Sequence, residues 1–448
     1  MKNNIISIGI FFDGTGNNGI NAASPVKPLK NNESYYGCPT NIYRLFGLFQ
    51  GDEKIYIEGI GTVTGAEDSD FAMAICKNPK GFHGYSSDDK LAAASAFVRE
   101  KLREPAEEYH CYVYGFSRGA MLARTFCNDL MLSSQQYDGK TVLIKFLGVF
   151  DTVESAPFNT YDVTIHEAVE AGLHICAVNE CRYFFPLTGF FEESKDKMDS
   201  EFRTGHSILR EIFVPGVHAD IGGGYLEASQ SVYISGEHIT NNDVVYYVEN
   251  IRNSTQDASG NKIWKYPLKN YEIDEGAFFL QAYIVRNKVY NDLSKIYGLL
   301  MLEESNRIHP VFSTAFKDSD LAVDYHKHPY LSELSEEFSR YMKLFTSGTR
   351  PAYDYQKLAD YLHISANFGL YKNFSAENTD VDAELINNGL NMPSNAKGYH
   401  VDSVDSVVQS DVMLPEDSII DYAFGTNIPN NSDWNRTILI KENFYNKC

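Results

Sequence analysis

The run Tyr112-Val113-Tyr114-Gly115-Phe116-Ser117-Arg118-Gly119-Ala120 joins a β-prone stretch to an apolar, helix-prone one through Gly-x-Ser-x-Gly. A serine at such a strand-to-helix turn is a nucleophile elbow, with a strained backbone and a hydroxyl projecting into a cleft. Gly115 and Gly119 lack a Cβ, which lets strand and helix pass close beside the turn. The helix that follows points amide N–H groups at the site, where they can stabilise developing negative charge. The pentapeptide alone is a weak signal and its setting strengthens it. The bland alternative is an ordinary βα turn with a capping serine.

Acyl transfer by serine needs a base to take its proton and a carboxylate to orient that base. Behind an elbow of this kind the acid comes next in the chain and the histidine last. Ser117, Asp151 and His218 occur in that order. Asp151 follows the apolar run Val142–Phe150, and His218 follows Ile212-Phe213-Val214. Parallel strands share one C-terminal edge, so loops far apart in sequence converge there. Each role has competitors. Asp13 and Asp220 could support or orient the histidine, and His363 could be the base. The N–H of Arg118 and the loop Gly14-Thr15 are the candidate oxyanion donors. The Arg118 guanidinium itself does not deprotonate, which leaves it a structural or phosphate-facing cation.

Gly14, Gly16 and Gly19 also satisfy G-x-G-x-x-G after a first strand. No helix-forming sequence follows Gly19, and no second strand ends in a ribose-binding acid, so the nucleotide reading is disfavoured. A glycine-rich loop at a strand end can instead offer bare N–H groups to an oxyanion. Gly222-Gly223-Gly224 requires a tight turn or a close approach.

The elements that must hold these residues read as alternating strands and helices. Strands are expected at Ile5–Phe12, Ile55–Ile57, 109–114, Val142–Phe150 and Ile212–Val214. Helices are expected at Thr40–Phe49, Asp88–Arg103 (stopped by Pro105), from Met121 to Cys127, and over 162–180. Residues 63–87 read as loop. The rhythm gives a mainly parallel, doubly wound α/β sheet. Residues 226–275 read as an inserted hairpin region, and Gly276–Glu304 as helix. Residues 276–310, with part of the C-terminal region, could form an apolar lid for acyl chains or simply cover the sheet. The chain divides into a catalytic domain, 1–310, and a mixed region, 311–448, that could serve as a lid or meet a partner or membrane.

With 448 residues, 43% hydrophobic and 22% charged, the chain can bury a large core. A net charge of −21 argues against nucleic acid and against broad adhesion to anionic lipid. The seven cysteines form no Cys-x-x-Cys pair, which suits reduced thiols and synthesis in the cytosol. Ile5–Phe12 is too short for a signal peptide and leads into Asp-Gly. No run approaches a membrane span in length. Two other function classes stay open. One is a metal-dependent phosphoesterase with Asp13, Asp151, His218 and Asp220 as ligands. The other is a non-catalytic binding module on a hydrolase fold.

Four motifs occur in one order: Phe11-Phe12-Asp13-Gly14-Thr15-Gly16-Asn17, Gly115–Ala120, Phe150-Asp151-Thr152-Val153 and Pro215–Tyr225. Together they resemble an α/β-hydrolase domain, among whose bearers are phospholipase effectors of the bacterial type VI secretion system. The resemblance spans roughly 5–310. It implies a Ser117-Asp151-His218 triad and phospholipase A1 or A2 activity on membrane glycerophospholipids; no cofactor or metal is expected. It further implies a secretion-apparatus partner, delivery into the envelope of a rival bacterium, and an immunity protein guarding the producer.

Overall fold

The computed structural model describes residues 5–28, 32–133, 140–157, 161–275, 280–345, 350–368, 407–409 and 428–440. The first eight strands are β1 (Ile5–Phe12), β2 (Glu53–Ile57), β3 (Glu108–Phe116), β4 (Thr141–Phe150), β5 (Ala171–Ala177), β6 (Leu187–Thr188), β7 (Ser200–Arg203) and β8 (Ile208–Val214). Seven of them make one sheet in the order β2-β1-β3-β4-β5-β8-β7. Every pairing is parallel except β7 on β8, at one edge. The expected mainly parallel α/β sheet is therefore present.

Strands buried on both faces need apolar side chains at every position, which is why β1, β3 and β4 read as unbroken runs. Alternation sorts the two faces. Phe11 and Tyr114 stack at 4.9 Å on one face, beneath Ile42 and Leu45 of the helix Asn41–Leu48 and Leu293 and Tyr297 of the helix Asp292–Ile308. Ile8, Ile10, Phe12 and Val113 lie on the other, against Leu122 and Phe126 of the elbow helix Arg118–Ser133 and Val98 of the helix Ser87–Lys101. Each large apolar side chain so buried stabilises the fold by about 1.5–3 kcal/mol.

Several expectations need correction. Residues 162–180 are not helical, because 171–177 form β5, buried at every position. A strand with both faces covered has no polar alternation to betray it. The stretch 226–275 does contain the strands β9 (Ala228–Tyr233) and β10 (Glu272–Glu275), but between them runs a helix, Asn241–Ser254. Thr240 caps it, and Val244, Val248 and Ile251 form its buried stripe. Within 276–304, residues 276–279 lie outside the described residues. The rest begins as strand β11 (Leu280–Val289), which pairs antiparallel with both β9 and β10, and becomes helical at Asp292. That helix lies on the sheet, with Ile296, Tyr297, Leu300 and Met301 fully covered, so it is core and not lid. The loop 63–87 carries a short helix, Asp70–Ile75.

The core also runs past 310. Leu331, Leu334 and Phe338 of the helix Pro329–Lys343 share one apolar cluster with the sheet. Much of 311–448, namely 346–349, 369–406, 410–427 and 441–448, lies outside the described residues. A third small sheet joins β12 (Val407–Gln409), β13 (Ile438–Ile440) and β6, in that order and in parallel.

Candidate active site

Strand β3 ends at Phe116, and Ser117 adopts φ 59°, the left-handed conformation of a strained turn. A Cβ on Gly119 would sit 2.3 Å from the Asp13 carbonyl oxygen, and one on Gly115 would sit 2.6 Å from Ala120 Cα. No side chain fits at either position. The Ser117 N–H donates to the Phe150 carbonyl at 3.1 Å, and the Val153 N–H donates to the Ser117 carbonyl at 3.3 Å. These bonds tie the elbow to the loop carrying Asp151.

Asp151 is fully buried beyond β4 and is itself in a left-handed conformation, φ 42°. Its Oδ2 lies 2.6 Å from His218 Nδ1, and its Oδ1 accepts the Ala177 N–H at 2.8 Å. His218 opens the short helix His218–Gly222 just beyond β8. Its ring packs 4.6 Å from Phe116 and 5.0 Å from Phe185. The Phe116 contact brings the residue beside the serine against the imidazole.

Burial would raise the Asp151 carboxyl, but the Arg436 guanidinium, the His218 bond and the Ala177 N–H outweigh it and hold it below the usual carboxylate range. An ionised carboxylate only accepts, so His218 Nδ1 carries the proton and Nε2 presents a lone pair. Burial depresses the His218 pKa against the pull of Asp151 and Glu180, which favours the neutral, basic ring.

Sequence reasoning missed three charged neighbours. Arg436, fully buried, donates from Nη2 to both Asp151 oxygens at 3.0 and 2.9 Å. Glu180 accepts the His218 backbone N–H at 3.1 Å. Its carboxyl, despite burial, is drawn down to about 2 by Arg182, which chelates it through Nε and Nη2. The Arg182 guanidinium lies 3.5 Å over the Phe185 ring. Arg436 is 285 residues from Asp151 and carries no local signal. Glu180 closes the stretch 162–180 expected to be helical, and Arg182 lies two residues beyond it.

The competing residues have other partners. Asp220 binds His363, Oδ1 to Nδ1 at 2.6 Å and Oδ2 to the His363 N–H at 3.0 Å, and His363 stacks on Tyr225 at 4.1 Å. That pair is separate from the His218–Asp151 pair, so Asp220 does not orient His218. Asp13 accepts from Thr40, Tyr56 and the Gly14 N–H. Burial outweighs those bonds and lifts its carboxyl to about 6. The Gly14 N–H is therefore directed at Asp13, 2.8 Å away, which corrects its expected place as an oxyanion donor. Among the described residues, the buried Thr15 Oγ1 has no hydrogen-bond partner. Arg118 Nη1 donates to the Ser155 carbonyl at 3.0 Å, a structural anchor.

Asp13, Asp151, His218 and Asp220 do not assemble as a metal site, because each carboxylate has its own partners and a cation at Asp151 would meet Arg436. Among the described residues, His174, Cys176 and Glu211 are close enough to share a metal. However, His174 Nδ1 binds Glu211 at 2.8 Å and Nε2 accepts the Thr152 N–H at 3.1 Å, so the ring is already satisfied. A surface cavity of about 330 Å³ lined by Val98, Phe126 and Leu130 lies at the far end of the elbow helix. That is some 15–20 Å along the axis from Ser117, too remote for the chemistry.

A family model described as the type VI secretion system phospholipase effector Tle1-like catalytic domain matches residues 7–133 and 128–249, more than half of the chain. The chain belongs to this family. As a Tle1-like phospholipase effector it takes the α/β-hydrolase-like fold described above. Among solved structures it is similar to the Tle1 effector in a structure titled as bound to the VgrG spike of that secretion system. The likeness is 20% identity over 82% of this chain and 85% of that one, TM-score 0.57, and at that identity it speaks to the fold. An uncharacterized protein from Pseudomonas aeruginosa is 19% identical over 79% of this chain and 52% of its own, with a TM-score of 0.40, too low to support an argument. No match is found among curated proteins.

Proposed function

We propose that this effector is a serine phospholipase A acting through Ser117, His218 and Asp151. His218 Nε2 takes the Ser117 proton as Oγ attacks the acyl carbonyl carbon. The tetrahedral oxyanion collapses, the ester C–O bond breaks, and the lysolipid oxygen leaves with the proton from Nε2. Water then hydrolyses the acyl-serine, its proton again passing through His218, and a fatty acid departs. The Arg118 N–H and Thr15 supply the oxyanion donors, with the unpartnered Thr15 hydroxyl replacing the Gly14 N–H.

One observation carries the reading. His218 Nδ1 lies 2.6 Å from the Asp151 carboxylate, at the same sheet edge as a serine in left-handed conformation. The test is fatty-acid and lysolipid release from glycerophospholipid vesicles. Ser117→Ala should lower turnover by at least about 10⁴-fold while leaving the fold intact. Undiminished hydrolysis by that variant would reject the serine mechanism.

The spike-bound Tle1 structure supports a secretion-spike partner for this chain as well. Delivery to the envelope of a target cell, and an immunity protein protecting the producer, complete the proposal. The catalytic unit within it comprises residues 1–310 together with 428–440.

A further inference from the structure

Arg436 reaches Asp151 from a segment stitched onto the loop that carries Glu180 and Phe185. The Asn430 N–H donates to the Cys181 carbonyl at 2.7 Å, the Tyr183 N–H to Ile428 at 2.9 Å, and the Leu187 N–H to Thr437 at 2.9 Å. β13 then pairs with β6. Trp434, in left-handed conformation, packs edge-on against Trp264 at 5.3 Å, both fully buried. The result is one buried guanidinium whose Nη2 spans both oxygens of Asp151. Among the described residues, its buried Nε and Nη1 have no hydrogen-bond partner. Burying a cation with so few partners is costly unless its charge is needed where it sits.

We propose that Arg436 is a positioning residue for the catalytic acid, making residues 428–440 an integral part of the catalytic centre. Two effects follow. Held through both oxygens, the carboxylate cannot rotate Oδ2 away from His218 Nδ1. The guanidinium also offsets the negative charge facing the imidazole. Among the described residues, Asp151 and Glu180 act on that ring from one side of the balance and Arg182 from the other, with Arg436 paired to Asp151. Buried His174, Cys176 and Glu211 lie behind Asp151 on β5 and β8. Two carboxylates against two guanidiniums leave a neutral His218 in a balanced site. Removing Arg436 leaves an excess negative charge beside the ring, so the imidazolium becomes easier to form.

The inference rests on the triad reading, and the experiment separates the two. Full-length Arg436→Met and Arg436→Lys are compared with wild type and Ser117→Ala by the pH dependence of kcat/KM on phosphatidylglycerol–phosphatidylethanolamine vesicles. The chain's only two tryptophans, Trp264 and Trp434, report by fluorescence whether the segment is seated. The expected result is a loss of about 10–100-fold in Arg436→Met, with the acid limb moved to higher pH. Lys should restore part of both. An unmoved acid limb in both variants overturns the inference, whether or not activity falls, because loss of packing alone would not shift it. If Met at 436 prevents folding, the Lys variant decides by the same limb. Hydrolysis surviving in Ser117→Ala sinks the triad reading instead.

Discussion

The proposed chemistry rests on protonation states set by neighbours. His218 must be neutral to act as base, and burial holds its pKa below the ordinary 6.5. The acid limb of kcat/KM should therefore fall below that value, with activity flat above it through neutrality. A limb lying above 6.5 would contradict the assignment. In folded protein, Asp151→Asn should lower kcat by about 10⁴-fold, because an amide can hold the wrong imidazole tautomer, and it should also lower stability by leaving the Arg436 guanidinium buried without its carboxylate. Glu180 has its folded pKa depressed from 4.5 to about 2. It therefore contributes stability that is present above the unfolded value and lost as pH falls towards 2. Glu180→Gln should flatten the pH dependence of the unfolding free energy in that window, as measured by urea titration at a series of pH values.

At the scale of elements, the elbow is a steric device. A methyl at Gly119 would have to displace the Asp13 and Phe12 carbonyls, backbone atoms that cannot swing aside. Gly119→Ala should cost about 1–3 kcal/mol, visible as a lower urea midpoint, and should slow labelling of Ser117 by misplacing it. The strands ending at Phe12, Phe116, Phe150 and Val214 were legible because buried parallel strands are short, apolar and bounded by turn residues. β5 was not, because His174 and Gly172 break its apolar run while its neighbours hide its period. The helix Asn241–Ser254 was obscured by polar residues on its exposed face. The positions of Ser117 and Asp151, each directly after such a strand, and of His218, four residues beyond one, could be read from that pattern. The bonding of Asp220 to His363 could not, since it depends on a segment 143 residues further on.

At the scale of the molecule, the seven-stranded sheet and the C-terminal segment 428–440 share one hydrophobic core. Sequence reading drew a boundary at 310 because the chemistry-bearing motifs stop before it. Packing does not respect that boundary, since contacts between distant segments leave no trace in local composition. Trp434→Ala should cost about 3–5 kcal/mol through the cavity it leaves beside Trp264. Activity should fall with it, because the same segment delivers Arg436. Stability loss with full retained turnover would mean that the segment is only a brace.

The central claim is that Ser117 is the nucleophile activated by His218. Peptide mass mapping after exposure to a fluorophosphonate tests it most directly. The account predicts an adduct on Ser117 in the wild type, strongly slowed in His218→Asn. An adduct on another residue, or none while vesicles are still hydrolysed, would contradict it.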